Sequence, residues 1–497
     1  MIPILLAAIN AKWIHPSLGL RLLKANLGVY EDQAELWEFA LRQPLAEKTE
    51  PLLAAAPRIL GLSVSIWNHK ATVELLETLD RAWNAGIAPR PFIILGGPEA
   101  AYLKAPSPLI RHADWVVQGE GEDIFRELCG FLLSLSASPS ETSIREGIAA
   151  LPSVTRICGK FIEAHPVELP SIAAAYRLYT EEDLHRKLTY VESSRGCPWA
   201  CAFCQSSVSQ GVRVFPLDRV LKELKELLDR GARSFKFLDR SFNLDIPRAQ
   251  RIMEVFLEYL ERPEPSSIPG KPLLSPLWVH FEMLPSRFPA ELRKLLTRFP
   301  PGTLRLEIGI QTFNPTTAAL ISRPSDPEKE LEVLAFLRDK TKAIVHVDLI
   351  AGLPGEDLGS FAEGFDRLWA VRPTEIQLGI LKCLPGTPIT RYNETYRMRY
   401  AKDPPYEVLE TAALSTRDLD RIKNFARFWE LIVNRGAFAR LLPGIVPEGE
   451  AVFNSFMALS DWLLSRFQRN WGIDRKALGA ALEEWVRLRH KRGGLEL

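Results

Sequence analysis

Three of the six cysteines in this 497-residue chain lie within one short segment, which reads R-G-C-P-W-A-C-A-F-C over residues 195–204. Cys197, Cys201 and Cys204 have the spacing C-x3-C-x2-C, so one loop can bring their sulfur atoms together. Thiolates are the ligands that iron–sulfur clusters prefer. Clusters that only carry electrons usually have four thiolate ligands, so three thiolates leave one iron open. The motif therefore predicts an iron–sulfur cluster at which chemistry takes place.

Zinc and disulfide chemistry are the alternatives for these cysteines. A zinc site needs a fourth ligand, which usually comes from a second Cys or His pair. The remaining thiols, Cys129, Cys158 and Cys383, are isolated and distant in sequence. Six cysteines in a chain of this length are also few compared with a disulfide-stapled secreted domain. The iron–sulfur interpretation is favoured over both alternatives.

The first 130 or so residues alternate short apolar strands with helical segments. The candidate strands cover residues 2–9, 58–64, 92–95 and 115–117. Continuous apolar strands predict a parallel sheet that is covered on both faces. Such sheets bind ligands at the carboxyl ends of their strands, which here are polar or glycine-rich.

A second series of strands and helices follows a Ser- and Pro-rich segment that contains a predicted hairpin at residues 154–164. The six candidate strands of this series are residues 188–192, 234–238, 278–282, 304–309, 344–349 and 375–380. Six strands alternating with helices predict an open, partial (β/α)6 TIM-like barrel. Helical patterns then continue to the end of the printed sequence.

The predicted fold class is therefore α/β, with a doubly wound parallel sheet, a partial barrel and a C-terminal helical domain. The predicted boundaries are residues 1–135 for the first sheet, 136–185 for a linker with a hairpin, 186–400 for the barrel and 401–497 for the helices.

The cysteine segment, with the aromatic Phe203 just before the last cysteine, resembles the cluster loop of the radical S-adenosylmethionine (SAM) enzymes. In that family the loop follows the first barrel strand, as Cys197 follows residues 188–192 here. The resemblance implies that the three cysteines bind a [4Fe–4S] cluster and that SAM chelates its fourth iron. It also implies that one electron cleaves SAM to a 5′-deoxyadenosyl radical.

The resemblance extends to the later strands and implies contacts with SAM. The family has a glycine-rich turn ending in Glu after the second strand, whereas this chain has Asp239 in a loop without glycine. The E-x-G-x-Q segment from Glu307 to Gln311 supplies groups that suit ribose hydroxyls, which need donors and acceptors. The turn after the fifth strand corresponds to the one beside the adenine. The predicted SAM-binding residues are Phe203, Asp239, Glu307, Gln311, Asp348, Leu353 and Gln377.

The N-terminal sheet resembles the cobalamin-binding domain that precedes the barrel in one large radical SAM class. The usual D-x-H-x2-G loop is absent, because residues 10–19 differ from it in spacing and lack its acid. His15 is therefore interpreted as a loop residue or a contact to the base tail rather than as an axial cobalt ligand. The predicted cobalamin-binding residues are Asn10, Lys12, His15, Ser63, Ser65, Trp67, Asn68, Gly96, Gly97, Glu99, Gly119 and Glu120. The alternative is a nucleotide-type sheet that has lost its ligand.

The resemblance covers residues 1–400, and the C-terminal helices resemble the extra domain of a subgroup similar to tryptophan 2-C-methyltransferase and, more distantly, to oxidative cyclases. It implies a cobalamin-dependent radical SAM enzyme, with methyl transfer to an unactivated carbon as the main hypothesis. A radical rearrangement or oxidative cyclisation without methyl transfer is one alternative, and a non-catalytic iron–sulfur binding protein is another. The cofactors implied are a [4Fe–4S] cluster, SAM and cobalamin. No catalytic residue is assigned.

Composition bears on the partners and the compartment. The chain has 62 Lys and Arg against 61 Asp and Glu, so its net charge of +1 gives no basic footprint for nucleic acid. No run approaches the 18 or so apolar residues of a membrane span, and the apolar residues 2–9 lack a basic flank. We expect a cytoplasmic enzyme that acts on a small molecule and takes electrons from a donor such as flavodoxin or ferredoxin.

Overall fold

The structure, a computed structural model, describes residues 2–104, 106–135, 140–208, 211–262, 276–323, 325–447, 449 and 451–493. The chain divides into two compact units. Unit 1 consists of Met1–Ser194, Arg213–Leu238 and Glu258–Leu277. Unit 2 consists of Arg195–Val212, Asp239–Leu257 and Trp278–Leu497. The predicted domain boundaries at 135, 185 and 400 come from the pattern of strands and helices in the sequence and stay predictions.

The strands are, in chain order, β1 (Ile4–Asn10), β2 (Ala34–Ala40), β3 (Ile59–Ser63), β4 (Phe92–Gly96), β5 (Trp115–Gln118), β6 (Val154–Cys158), β7 (Phe161–Ala164), β8 (Thr189–Val191), β9 (Ser194–Cys197), β10 (Gly211–Val214), β11 (Ser234–Phe237), β12 (Trp278–Met283), β13 (Leu304–Gln311), β14 (Ile344–Ala351), β15 (Glu375–Ile380), β16 (Arg399–Tyr400) and β17 (Val408–Glu410).

The α-helices are α1 (Leu18–Ala25), α2 (Ala46–Ala55), α3 (His69–Asn84), α4 (Pro108–His112), α5 (Glu122–Ser134), α6 (Glu141–Ala149), α7 (Glu181–Arg186), α8 (Leu217–Asp229), α9 (Ile246–Leu260), α10 (Ala290–Leu296), α11 (Pro315–Leu320), α12 (Pro327–Lys340), α13 (Leu358–Ala370), α14 (Thr416–Trp429), α15 (Leu442–Ile445), α16 (Val452–Phe467) and α17 (Arg475–Gly493).

Unit 1 is built on a seven-stranded sheet with the order β2-β1-β3-β4-β5-β7-β6. Strands β1 to β5 and β7 pair in parallel with their neighbours, and β6 pairs antiparallel with β7. Side chains alternate between the two faces, so Ile4 and Leu6 enter one apolar cluster while Leu5 and Ala7 enter another. This double burial is why the strands appear as continuous apolar runs. The predicted doubly wound parallel sheet is confirmed.

Two features of this sheet differ from the expectation or add to it. Strand β2 was not predicted, because Glu35 and Glu38 interrupt its apolar pattern at the open edge of the sheet. The predicted hairpin is present as β6 and β7, and β7 pairs with β5. The hairpin therefore extends the sheet. Unit 1 also contains the parallel pair β8 and β11.

Unit 2 contains four parallel strands in the order β15-β14-β13-β12. On β13 and β14 buried and partly exposed residues alternate strictly along the whole strand. Leu304, Leu306 and Ile308 are buried, whereas Arg305 and Glu307 between them are partly exposed. One face of the sheet is thus apolar and covered, and the other face is lined with polar side chains.

The C-terminal helices of unit 2 pack through a cluster of aromatic rings. Phe425 and Trp429 of α14 contact Phe365 of α13 and Phe453 and Phe456 of α16, with ring centroids between 4.8 and 5.6 Å apart for the pairs that include Phe425 or Trp429. All five side chains are fully buried. A capping box between Ser415 and Asp418 begins α14. Among the described helices, none combines the length and apolar character that a membrane-spanning segment needs.

Replacing Phe425 by Ala should lower the free energy of unfolding by about 3–5 kcal/mol, because the change removes a buried ring and leaves a cavity. Urea titration followed by circular dichroism measures this loss. The matched control is Trp471→Ala, since Trp471 is 68% exposed and its removal should change stability by about 0.5 kcal/mol or less. A loss below about 1 kcal/mol for the Phe425 variant would contradict the conclusion that the aromatic cluster stabilises the C-terminal helices.

Candidate functional site

The three predicted ligand cysteines lie on one loop of unit 2. Cys197 ends β9, and Cys201 and Cys204 follow in the irregular segment after it. Gly196 has a φ of +96°, and a Cβ at this position would lie 2.1 Å from the backbone oxygen of Gly211. Only glycine permits this close approach of β9 and β10, so the residue before the first cysteine is fixed by geometry.

Hydrogen bonds from within unit 2 hold the cysteine loop in place. The backbone nitrogen of Ala202 donates to the oxygen of Ile321 at 2.9 Å, and that of Cys204 donates to the oxygen of Cys201 at 3.1 Å. The side-chain amide of Gln205 donates to the oxygen of Pro385 at 3.1 Å. The loop is therefore anchored at Ala202, between the second and third cysteines, and at Gln205, directly after the third.

The environments of the three sulfur atoms differ. Cys201 is buried, whereas Cys197 and Cys204 are partly exposed. Burial raises the pKa of the Cys201 thiol, although the Arg323 guanidinium opposes this effect. Arg323 Nη1 donates to Cys201 Sγ at 3.6 Å, and Ser241 Oγ lies 3.6 Å from Cys197 Sγ. A cation and a hydroxyl thus stand beside the thiols.

This donor set fits an iron–sulfur cluster. Thiolates on one loop carry negative charge, and the guanidinium of Arg323 can offset it and bond to sulfur. Within the part of the chain that the structure describes, no three His, Cys, Asp or Glu side chains, the three cysteines included, are close enough to hold a single metal ion.

The polar face of the four-stranded sheet carries two pairs, each of a histidine and a carboxylate. His280 Nε2 on β12 lies 3.0 Å from Glu307 Oε2 on β13, and His346 Nε2 on β14 lies 3.3 Å from Glu375 Oε2 on β15. The two imidazole rings meet edge to face at 6.3 Å. The predicted residue Glu307 is therefore oriented by a buried histidine.

Gln311 is placed by a β-bulge at the end of β13. The register with β14 shifts between Gly309 and Gln311, and Gln311 has a φ of +73°, which is unusual for a residue with a side chain. A Cβ at Gly309 would lie 2.2 Å from Gln311 Nε2. The glycine of the E-x-G-x-Q segment thus leaves the space that the glutamine amide occupies.

The remaining predicted SAM residues fall into three environments. Asp348 and Gln377 face each other in register on β14 and β15. Asp239 is buried after β11, at 2% exposure. Leu353 is fully buried in an apolar cluster, so its side chain packs in the core and is not open to a cavity.

A cavity of about 440 Å³ opens beside the cysteine loop within unit 2. Its lining is mostly apolar and includes the ring of Phe203 and the strand residues of β15. The residues that line it are Phe203, Ile350, Gln377, Leu378, Gly379, Ile380, Leu381, Lys382, Leu384, Glu407, Lys423 and Ala426. Two of the predicted SAM residues, Phe203 and Gln377, are therefore brought together.

In unit 1, Asn68 connects the ends of two neighbouring strands. Its amide donates to the oxygens of Ile9 and Ser63 at 3.0 Å each, and its oxygen accepts from the nitrogen of Ser65 at 2.8 Å. Asn68 is 2% exposed. Both polar atoms of its side chain bond to backbone groups, so the side chain holds the ends of β1 and β3 together.

The glycine pair after β4 has two different roles. Gly97 has a φ of +101°, and a Cβ there would lie 2.6 Å from the oxygen of Val64, so the close approach requires glycine. A Cβ at Gly96 would meet nothing within 4 Å, which leaves open space above the strand end. Glu99 is buried and its Oε1 lies 2.9 Å from His69 Nδ1.

The loop after β1 is tied to other parts of unit 1. His15 Nδ1 lies 2.8 Å from the hydroxyl of Tyr190, and desolvation lowers the pKa of His15, as do the nearby cations Lys12 and Lys236. Asn10 donates to Glu38 at 3.1 Å. The His15 ring is thus held by a protein hydrogen bond.

Two further predicted cobalamin contacts, Gly119 and Glu120, directly follow β5 in unit 1. Gly119, with a φ of +104°, would bring a Cβ within 3.2 Å of the Ala164 oxygen. Glu120 pairs with Arg213 and accepts from the nitrogen of Val167 at 2.9 Å. Trp67, at 52% exposure, remains open to solvent.

Four residues that shape the site in unit 2 were not predicted from the sequence: Arg323, Ser241, His280 and His346. The alternation along β12 and β14 could have placed both histidines on the polar face, beside Glu282 and Asp348. No local signal points to Arg323, because it lies 122 residues from Cys201 in sequence.

Comparison with known families matches two parts of the chain. Residues 191–368 match the radical SAM superfamily, and this range contains the three cysteines and strands β12 to β14. Residues 394–493 match a family that is described only as a protein of unknown function, DUF4080.

A 2-(S-pantetheinyl)-carbapenam-3-carboxylate methyltransferase from Streptantibioticus cattleyicolor is 28% identical to this chain over 204 residues. The match covers 39% of this chain and 28% of the relative, so the chain spans less than a third of that protein's length.

Two solved structures share the fold over most of the chain. The cobalamin-dependent SAM radical enzyme OxsB, with aqua-cobalamin bound, has a TM-score of 0.64 at 15% identity and covers 98% of this chain and 76% of its own. The radical SAM methyltransferase TsrM from Kitasatospora setae, with cobalamin and a [4Fe–4S] cluster bound, has a TM-score of 0.56 at 18% identity and covers 80% and 81%. The chain therefore contains a radical SAM domain at residues 191–368 and has the fold that OxsB and TsrM share.

Proposed function

We propose that this protein is a cobalamin-dependent radical SAM enzyme that transfers a methyl group to an unactivated carbon of a small molecule. The observation that carries the proposal is the anchored loop of three thiols, with Arg323 at Cys201, beside the cavity at Phe203. The match of residues 191–368 to the radical SAM superfamily supports it. The methyltransferase names of the curated relative and of TsrM support methyl transfer.

The proposed ligands of a [4Fe–4S] cluster are Cys197, Cys201 and Cys204, and SAM completes the site. When bound, the cluster supplies an electron for the cleavage of SAM, and cobalamin carries the methyl group. The protein positions these groups and excludes water, as is usual for cofactor enzymes. Arg323 stabilises the thiolate of Cys201 through its charge and its hydrogen bond.

The chain's own residues would hold SAM along the carboxyl side of the unit 2 strands. Glu307, oriented by His280, and Gln311, fixed by the bulge, offer an acceptor and an amide to ribose hydroxyls. Phe203 offers a ring face to the adenine in the cavity. Asp239, Asp348 and Gln377 remain proposed contacts, whereas Leu353 supports the fold of the turn.

Cobalamin would bind at the strand ends of unit 1. The open space above Gly96 and the exposed Trp67 are the observations that fit a bulky ligand there. Asn68 and Glu99 also stay proposed contacts, and their bonds within the protein hold the surrounding loops in shape. The other predicted contacts stay as proposed.

The finer architecture follows the same proposal. We infer that β8 and β11 to β15 are the six strands of a partial barrel at residues 186–400, which the fold shared with OxsB and TsrM supports. An oxygen-sensitive cluster suits a cytoplasmic enzyme. A small reductant such as flavodoxin or ferredoxin would supply the electron.

Anaerobic reconstitution with iron, sulfide and cobalamin, followed by reduction in the presence of SAM, tests the function. We expect a brown protein that converts SAM to 5′-deoxyadenosine and S-adenosylhomocysteine, both measured by chromatography. Methyl transfer predicts both products, whereas a rearrangement or cyclisation predicts 5′-deoxyadenosine without S-adenosylhomocysteine. A protein that holds a cluster and never consumes SAM would be a binding protein, and the proposal would be wrong.

Replacing any one of Cys197, Cys201 and Cys204 by Ala should reduce iron and sulfide content to a small fraction of the wild-type value and abolish SAM cleavage. Each change removes one thiolate, and the partners left behind do not complete the cluster. The matched control is Cys158→Ala, because Cys158 is exposed and lies on β6 of unit 1. Full cluster content in any of the three variants would refute the ligand assignment.

Replacing Arg323 by Met should lower the reduction potential of the cluster by about 60 mV, which corresponds to about 1.4 kcal/mol for one electron. The change removes a positive charge and a hydrogen bond to Cys201 Sγ, both of which favour the reduced state. A redox titration followed by electron paramagnetic resonance measures the shift. Arg323→Lys, which keeps the charge, should shift the potential less, and equal shifts would contradict the charge argument.

Replacing His15 by Ala should change cobalamin affinity less than about threefold, since residues 10–19 lack the spacing and the acid of the D-x-H-x2-G loop. Equilibrium dialysis measures the affinity, and the visible spectrum of bound cobalamin reports its axial ligands. A loss of affinity of a hundredfold together with loss of an imidazole signal would show that His15 binds cobalt.

A further inference from the structure

Most of the lining of the cavity beside the cysteine loop lies outside the radical SAM match at residues 191–368. Phe203 and Ile350 lie within that match, and the residues from Gln377 to Leu384, which lie between the two matched segments, form most of the lining. Glu407, Lys423 and Ala426 complete it, and they belong to the C-terminal segment of unknown function at residues 394–493. The C-terminal segment therefore contributes side chains to this cavity directly.

The C-terminal segment is held against the strands by backbone contacts within unit 2. Lys382 and Glu407 form an antiparallel bridge, and the nitrogen of Val408 donates to the oxygen of Leu381 at 2.8 Å. The nitrogen of Cys383 donates to the oxygen of Tyr406 at 2.9 Å. Glu407 is therefore fixed by hydrogen bonds on both sides of it.

Gly352 makes the close approach of the C-terminal segment possible. It has a φ of +88°, and a Cβ there would lie 2.5 Å from Val408 Cγ1 and 3.3 Å from Leu419 Cδ2. The turn after β14 and the C-terminal segment thus fit together only with glycine at this position. Leu353, Val408 and Leu419 share one buried cluster.

Three charged residues line the cavity on an otherwise mostly apolar wall: Lys382, Glu407 and Lys423. Lys423 Nζ lies 3.0 Å from Glu407 Oε2, and these two side chains are 29% and 30% exposed, whereas Lys382 is exposed. The pair therefore places a hydrogen-bond donor next to an acceptor. A neutral group that carries both an acceptor and a donor can bond to the two side chains at once.

Adenine has the chemistry that matches this lining. Its flat ring suits the face of Phe203 and the aliphatic wall, and its edge presents an amino donor beside a ring-nitrogen acceptor. Building on the proposed function, we infer that Glu407 and Lys423 bind the edge of the SAM adenine, with Glu407 accepting from the amino group and Lys423 donating to the ring nitrogen. The C-terminal segment thereby completes the nucleobase pocket of the enzyme.

Equilibrium dialysis of radiolabelled SAM with the anaerobically reconstituted full chain tests this inference. Glu407→Leu and Lys423→Met should each weaken SAM binding roughly tenfold to hundredfold, because each removes one hydrogen bond to the base. Glu407→Gln, which keeps an acceptor oxygen, should recover part of the loss. The matched control is Arg421→Met, since Arg421 lies on the same helix but pairs with Asp461.

A change in the ligand tests the same contact without altering the protein. S-inosylmethionine carries an oxygen in place of the amino group and a proton on the neighbouring ring nitrogen, so it loses both proposed contacts and the wild type should bind it at least tenfold more weakly than SAM. In Glu407→Leu that preference should be smaller than in the wild type, because one of the two contacts is already missing. These values together support the assignment of Glu407 to the amino group.

Three results would overturn the inference, and they can be told apart. Wild-type protein that holds a cluster and does not bind SAM would refute the proposed function along with it. Wild-type protein that binds SAM and its inosyl analogue equally, with both C-terminal variants within twofold, would refute only the pocket assignment. Equal losses in Arg421→Met would show that the effect arises from the packing of α14.

Discussion

The strict alternation of buried and partly exposed residues along β13 and β14 is the constraint on which the rest of unit 2 depends. Because successive side chains point to opposite faces, one set of residues can be entirely apolar while the other carries ionisable groups. The apolar set, with Leu304 and Leu306 fully buried, stabilises the strands. The polar set, with Glu307 among it, is therefore held on a rigid surface, and the chemistry can rely on fixed positions.

The strands and the cysteine loop could be predicted because their signals are local. Continuous apolar runs predicted the sheet of unit 1, and three closely spaced thiols predicted the cluster loop. Strand β2 escaped prediction for a physical reason: an edge strand has one open side, so Glu35 and Glu38 cost little there. A periodicity rule cannot separate such a strand from a loop.

The roles of single polar residues at the strand ends could not be predicted in the same way. Sequence position placed Asn68, Glu99 and Glu120 at the carboxyl ends of the sheet, where ligands bind. In the structure Asn68 bonds to three backbone groups, Glu99 pairs with His69, and Glu120 pairs with Arg213. A buried polar group must find a partner, and the sequence alone does not show whether that partner is protein or ligand.

Long-range contacts explain why the sequence could not reveal the cavity either. Phe203 and Lys423 line one space although 220 residues separate them, and Gly352 permits the contact through its positive φ. A glycine in a strand-end turn commonly serves only the turn, so its second role appears only when Val408 is seen at the position of a missing Cβ. Gly352 lies in the segment that matches the radical SAM superfamily and Val408 in the segment that matches DUF4080, so this glycine permits the contact between the two matched segments. A side chain at Gly352 would push the C-terminal segment away from β15, and Glu407 would leave the cavity with it.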